Sequence, residues 1–536
     1  MKLYNNKHLN ISIIICLAVL TAILVSTKTP FFSGHNSPIF AKVESDKEIL
    51  DITPLPYETK QPCPAPEPTA TAKPIPPLSP EEEKLRAVNR EELSKQIDAY
   101  VKNDPAWKEA KVGIYISTVL RGDIIYEQNP NLPMIPASNL KMVTASAALS
   151  LLGPDYQFET SVWGSPINKE TGVMKGNVYL EGTGDPTFME PFMDNPTEVL
   201  HSFARSLKKQ GVKVIEGDVV GDDTAFDREY LGRGWKSRYL LEEYAAPAGA
   251  LSINANCIRL VIGAGKASML PGNEYIQLIY DSSAGGKLYV DRKLGTDRIS
   301  VKGYNSGTVY RNLTVNNPSA YTTAVFAKVL KVNGIQIKGI PRLLTAEELD
   351  YKEETTHIAR YKSIPLHKIV REINKESDNI CAQHVFKAIG LVIQGQGTCD
   401  NSNLAIKNWL GSQGVDTSCF AMADGSGLSV YNRITPRQMV ELLRIMVNNP
   451  HWEYFWSSLP AGGVDGTLVY RFHGLPVRAK TGGLKGHIAL SGYVKTKTGQ
   501  LVAFSIITNA HKHWGDRIRQ NEDSIVELIA RYNHML

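Results

Sequence analysis

The six cysteines (Cys16, Cys63, Cys257, Cys381, Cys399 and Cys419) include no C-x-x-C pair, which removes the usual spacing for zinc or thioredoxin-like chemistry. Net charge is only +5 over 536 residues, and no dense Lys/Arg stripe interrupts the sequence. That excludes the electrostatic footprint of a nucleic-acid binder. No fixed-period repeat is visible, so solenoids and propellers are excluded. The apolar run at residues 11–25 carries no charge but spans fifteen residues, short of the roughly 20 that a bilayer crossing needs.

What is present is a chain too long for one core, with a length prior of about three folded units. Apolar residues make up 43% and charged residues 21%, as in an ordinary globular protein. Lys2 and Lys7 precede the 11–25 run, which gives the charged start and apolar middle of an export signal. No clean A-x-A site follows, so both a cleaved signal peptide and a retained anchor fit residues 1–30. The positive flank directs the rest of the chain outward. Residues 31–80 form a linker whose second part, 51–80, holds ten prolines and acts as a semi-stiff spacer. Of the later cysteines, two readings stand: four small buried hydrophobes, or a bridge between Cys399 and Cys419.

Order is expected to begin at Ser79, with Pro80 at the first helical position and Glu82 completing a capping box. Two alternating runs follow, with a turn at Arg121 and Gly122. From about 157 to 344 the texture becomes short β-like runs between glycine turns, interrupted by one helical piece near 197–211. Helical patterning then returns, with a capping box from Thr435 to Gln438. The tail gives three strands and a final helix with Ile525, Leu528, Ile529 and Tyr532 on one face. The expected architecture is α/β (α+β): an antiparallel sheet flanked by helices, built from residues 81–156 and 345–536. Residues 157–344 would form a large, mostly β insertion of one or two subdomains.

Three polar islands stand out. Ser138 and Lys141 open the apolar stretch 136–153 and share one helix face. A serine hydroxyl needs a base before it attacks. A buried lysine loses its charge more readily and can be that base. The plain alternative is a helix-capping serine beside a solvated lysine. Ser377, Asp378 and Asn379 open a later helix; a second serine can relay a proton, and an asparagine can bond a lysine and a substrate amide. Lys480, Thr481, Gly482 and Gly483 lie on the first tail strand, with a charge, a hydroxyl and two glycines that would let a substrate backbone approach. A second copy at 497–499 falls where two strands reverse and reads as a hairpin tip.

In the order S-x-x-K, S-D-N, K-T-G these islands resemble the serine β-lactamases and penicillin-binding proteins. The 239 residues between Ser138 and Ser377 make the chain similar to the D-alanyl-D-alanine carboxypeptidase/endopeptidases with inserted domains, the low-molecular-mass class C penicillin-binding proteins (peptidase family S13). The stretches around Asp185, 221–227, 246–256 and 424–435 are similar to that family too. The resemblance implies a serine β-lactamase/transpeptidase-like catalytic domain and an exported enzyme of the periplasm or cell envelope, with a membrane tether through residues 11–25 left open. It implies action on peptidoglycan peptides ending in D-Ala-D-Ala, covalent inhibition by β-lactams, and no metal or organic cofactor. Ser138 would be acylated, Lys141 its base, and Ser377, Asn379 and Lys480 the rest of the proton relay. Thr481 would bind the terminal carboxylate, and the N–H groups of Ser138 and Gly483 the oxyanion. Asp222 would meet the amine of a diaminopimelate side chain, with Asp223 as its competitor. Two other readings are kept: a β-lactamase or esterase, weakened because no E-x-x-L-N element lies between Ser138 and Ser377, and a non-enzymatic wall-binding protein.

Overall fold

A computed structural model of the chain describes residues 76–512 and 514–536. The expected signal or anchor, most of the linker, Cys16 and Cys63 lie outside the described residues.

The centre is an antiparallel sheet of five strands: β1 (Lys111–Thr118), β2 (Ile124–Gln128), β3 (Val477–Leu484), β4 (His487–Lys495) and β5 (Leu501–Asn509). Their order is β3-β4-β5-β1-β2, so chain ends far apart in sequence meet at the β1–β5 pair. Alternation along each strand sends side chains to opposite faces. Ile114, Ile116, Ile488, Leu490, Phe504 and Ile506 face one core. Helix α1 (Pro80–Asn103) supplies Leu93 and Ile97 to it, and helix α7 (Gly515–Arg531) supplies Ile518, Ile525 and Ile529. Tyr115, Ala489, Tyr493, Ala503 and Ile507 face the other core. That side is covered by α2 (Leu140–Leu151), α3 (Leu366–Lys375), α4 (Asn379–Gln394), α5 (Cys399–Ser412) and α6 (Pro436–Val447).

The sequence cues at the element ends hold. Ser79 and Glu82 form a capping box on α1, as do Thr435 and Gln438 on α6. Gly122 takes a φ of 78° between β1 and β2, and Gly499 one of 83° between β4 and β5. The second K-T-G copy is therefore the expected hairpin tip.

The insertion contains a second five-stranded sheet, a four-stranded sheet and two three-stranded sheets. Two helices pack with these strands, Glu198–Lys209 and Pro318–Val332, where the sequence suggests one. The second helix has eleven of its fifteen residues buried, so it lacks the polar face that gives a helical period away. Strand Thr356–Lys362 pairs with Glu159–Gly164 in the inserted sheet, which carries that sheet past residue 344. Cys257, Cys381 and Cys399 are free, buried thiols, so Cys399 does not bridge Cys419.

Phe504 is fully buried between the sheet and the α1–α7 layer. Phe504→Ala is expected to lower the free energy of unfolding by about 3–5 kcal/mol, measured by urea denaturation.

Candidate active site

Ser138 sits in a single 3-10 turn, Ala137–Asn139, that runs directly into α2. The turn is clamped from three directions. Ala137 adopts a left-handed φ of 48°. A Cβ on Gly427 would lie 2.0 Å from the Ala137 carbonyl oxygen, and one on Gly482 would lie 2.7 Å from that of Pro136. Asn139 donates from Nδ2 to Ser491 Oγ at 2.8 Å, and Ser491 donates to Ser505 Oγ at 2.9 Å, all fully buried. Just upstream, Asn509 exchanges two bonds with the backbone of Ile135. Gly482 thus serves the approach of the serine turn, not that of a substrate. Gly483 has open space where its Cβ would be.

Neither the 3-10 turn nor α2 has a side-chain cap, so Ser138 is not a helix-capping serine. Lys141 is not solvated but completely buried. Its Nζ donates to Ser138 Oγ at 3.2 Å, Asn379 Oδ1 at 2.5 Å and the Ser426 carbonyl at 2.6 Å. All three partners are uncharged oxygens. Burial pulls the Lys141 pKa down to about 8, opposed by the negative charges of Asp424 and Asp378. A neutral amine has two N–H donors and one lone pair. Asn379 and Ser426 can take the two donors, which leaves the lone pair for the hydroxyl proton of Ser138.

Asp378 caps α4 by accepting from the Cys381 N–H at 2.7 Å. That cap orients Asn379 at the first helical position. Asn379 also donates from Nδ2 to the Tyr244 carbonyl at 2.7 Å, a contact from the insertion. Ser377, before the cap, holds a left-handed φ of 63°, an uncommon conformation for a residue with a Cβ. Lys480 Nζ donates to Ser377 Oγ at 2.8 Å and to the Thr481 carbonyl at 3.1 Å. Lys480 is fully buried as well. Desolvation, then the neighbouring Lys141, pushes its pKa well below the ordinary lysine value. Lys480 and Thr481 lie on β3, the edge of the sheet. One half of that edge is paired: Ala479 donates to the Pro460 carbonyl, and Ala461 bridges Arg478.

Ser138, Lys141, Ser377, Asn379 and Lys480 therefore share one cleft, and Thr481 follows Lys480 along β3 with its hydroxyl bonded to Thr467. Asp222 is turned elsewhere. Its carboxylate accepts from the Thr224 N–H and hydroxyl and from the Tyr351 hydroxyl at 3.0 Å. Asp223 is also buried, taken by Arg228 and Tyr230. Asp185 accepts from the N–H and hydroxyl of Thr187, a turn-stabilising role.

The Ser426 carbonyl is held in place by Asp424; from the sequence these two residues read either as lining the cleft or as part of a glycine-rich turn. Asp424 is fully buried and accepts from Ser426 Oγ, the N–H groups of Gly427 and Ser429, Asn432 Nδ2 and Trp235 Nε1, the last at 2.5 Å. Trp235 comes from the insertion. It joins Tyr239, Ala245, Leu428 and Leu484 in a small apolar cluster beside the cleft. No local pattern announces Trp235 or Tyr244, because their partners are about 135 to 190 positions away.

The family model of the D-Ala-D-Ala carboxypeptidase 3 (S13) family matches residues 93–532. The D-alanyl-D-alanine carboxypeptidase of Actinomadura sp. (strain R39) is 33% identical over 472 residues, covering 82% of this chain and 85% of the relative. The crystal structure of penicillin binding protein 4 (dacB) from Haemophilus influenzae superposes with a TM-score of 0.69 at 27% identity, covering 81% of this chain and 99% of that one. The same protein complexed with a novel β-lactam gives 0.66 at 26% identity, with 81% and 100% coverage. The match runs from within α1 to the C-cap of α7 and so takes in the central sheet, both helical layers and the inserted sheets; the chain belongs to the D-Ala-D-Ala carboxypeptidase 3 (S13) family of serine-type carboxypeptidases.

Proposed function

We propose that this carboxypeptidase works through an acyl-enzyme on Ser138, with Lys141 as its base, on peptidoglycan stem peptides ending in D-Ala-D-Ala. The observation that carries this reading is the buried amine of Lys141, 3.2 Å from Ser138 Oγ with only neutral oxygens as partners. As Ser138 Oγ attacks the carbonyl of the penultimate D-alanine, its proton passes to Lys141 Nζ. The tetrahedral oxyanion is met by the N–H groups of Ser138 and Gly483. The C–N bond then breaks, and the Ser377 hydroxyl, bonded to Lys480, hands a proton to the departing amine of D-alanine. The Lys141 ammonium restores the proton of Ser377 and is neutral again; water then adds to the ester as Lys141 takes its proton, and that proton passes to Ser138 Oγ as the acyl C–O bond breaks. Asn379 holds Lys141 on its axis, and Thr481 takes the terminal carboxylate.

A β-lactam presents the same carbonyl in a ring, so its leaving group stays attached and the acyl-enzyme persists. The relative complexed with a β-lactam supports carrying this to the present chain. Export to the cell envelope is read from the apolar run 11–25 behind Lys2 and Lys7. Asp222 is bonded within the insertion, and a substrate amine would have to displace the Tyr351 hydroxyl to reach it.

Fluorescent penicillin should label the wild-type protein and leave Ser138→Ala blank in a denaturing gel. Label retained by Ser138→Ala would refute the acyl-enzyme assignment. Lys141→Ala should lower the acylation rate by about 10²–10⁴-fold. Because only the neutral amine can accept the proton, the acylation rate should rise roughly tenfold per pH unit below pH 8 and level off above it. A rate that is flat from pH 6 to 9 would exclude Lys141 as the base. Mass spectrometry of pentapeptide fragments should show loss of one alanine; conversion of crosslinked dimers to monomers would assign endopeptidase action as well.

A further inference from the structure

One hydroxyl faces this cleft with no part in the steps above. Thr467 lies in the short 3-10 turn Gly466–Leu468 and is exposed. Its Oγ1 accepts the hydroxyl proton of Thr481 at 3.0 Å. A hydroxyl has one proton and two lone pairs, so accepting from Thr481 leaves the proton of Thr467 for a further acceptor.

The turn is not a loose neighbour. Asp465 forms an ion pair with Lys375 at 2.6 Å, and Lys375 ends α3 two residues before Ser377. Gly466, at a φ of 56°, is pressed so close to Lys375 that a Cβ would lie 2.6 Å from its carbonyl oxygen. Asp465 also accepts from the Ala461 N–H at 2.8 Å, and Ala461 bridges Arg478 on β3. Thr467 is thus held by the helix that ends just before Ser377 and by the strand that carries Lys480.

Along β3, the next position on the face of Thr481 is Gly483, which has no side chain and open space around it. The strand itself offers one hydroxyl on that face. The neighbouring turn brings a second within 3.0 Å of the first, and Lys480 Nζ donates to the carbonyl of Thr481 beside them. A carboxylate entering here can take the free proton of Thr467 and, once Thr481 turns its own proton away from Thr467, that of Thr481 as well, and its negative charge favours the charged form of Lys480 beside them. We propose that Thr467 is a second carboxylate-binding hydroxyl, paired with Thr481 on the terminal carboxylate of the substrate. The inference rests on the reading of Ser138 given above.

The test compares two probes on one protein preparation: benzylpenicillin, with its free carboxylate, and its methyl ester. The ratio of their second-order acylation rates does not depend on the fraction of protein folded. Thr467→Val should lower the benzylpenicillin rate about tenfold, the effect of losing one hydrogen bond to a charged group, and leave the ester rate within about twofold. Thr467→Ser should restore most of the ratio. Equal slowing of both probes by Thr467→Val, or no change in either, would overturn the role of Thr467 while the Ser138 reading stood. No adduct on Ser138 of the unmutated protein would instead sink the reading of the site, and this inference with it.

Discussion

The site depends on one unfavourable burial. An ammonium taken from water without a counter-ion is costly, and a lysine escapes that cost by giving up its proton. Lys141 is surrounded by a hydroxyl, an amide oxygen and a backbone carbonyl. None of these cancels a charge, yet each can orient an uncharged amine. The compromise is an amine whose pKa sits near 8, low enough for its lone pair to be available to the hydroxyl beside it, as the proposed mechanism requires. Lys480, pushed down by its own burial and by Lys141, adds a second cation-forming group that cannot charge freely while the first is charged.

The three partners of Lys141 come from different parts of the chain, and each is fixed by its own device. The turn that carries Ser138 is pegged to the middle of the sheet by the Asn139–Ser491–Ser505 chain. Asn379 is aimed by the Asp378 cap. The Ser426 carbonyl is held by a turn gathered around Asp424. The insertion touches two of the three, through Tyr244 and Trp235. It is therefore part of the wall of the site and not an independent appendage. The buried ion pair between Lys387 on α4 and Asp227 in the insertion, 2.7 Å long, ties the same two bodies together.

Residues whose chemistry is carried by short local patterns were legible in the sequence. Ser138 and Lys141 are one helical turn apart, Ser377 to Asn379 are contiguous, and capping boxes mark α1 and α6. The five-stranded sheet followed from alternation and turn glycines. What escaped has a common physical origin. Trp235, Tyr244, Asn139 and Thr467 act on partners brought to them by tertiary packing. The helix Pro318–Val332 is apolar nearly all round and rich in β-branched residues, so no period distinguishes it from a strand. Gly482 was legible as a close approach, but the sequence could not tell that a neighbouring turn of the same chain makes it.

An uncovered strand at the rim of a sheet is a hazard for a protein, because any extended chain can pair with it. Here the hazard is halved. The segment from Pro460 to Gly462 docks on the Val477–Ala479 part of β3, leaving the stretch around Lys480 to Gly483 as the unguarded portion. The open edge is shorter than the strand that bears it, so the same truncation that shields the protein from self-association also shortens the surface on which an extended chain can pair.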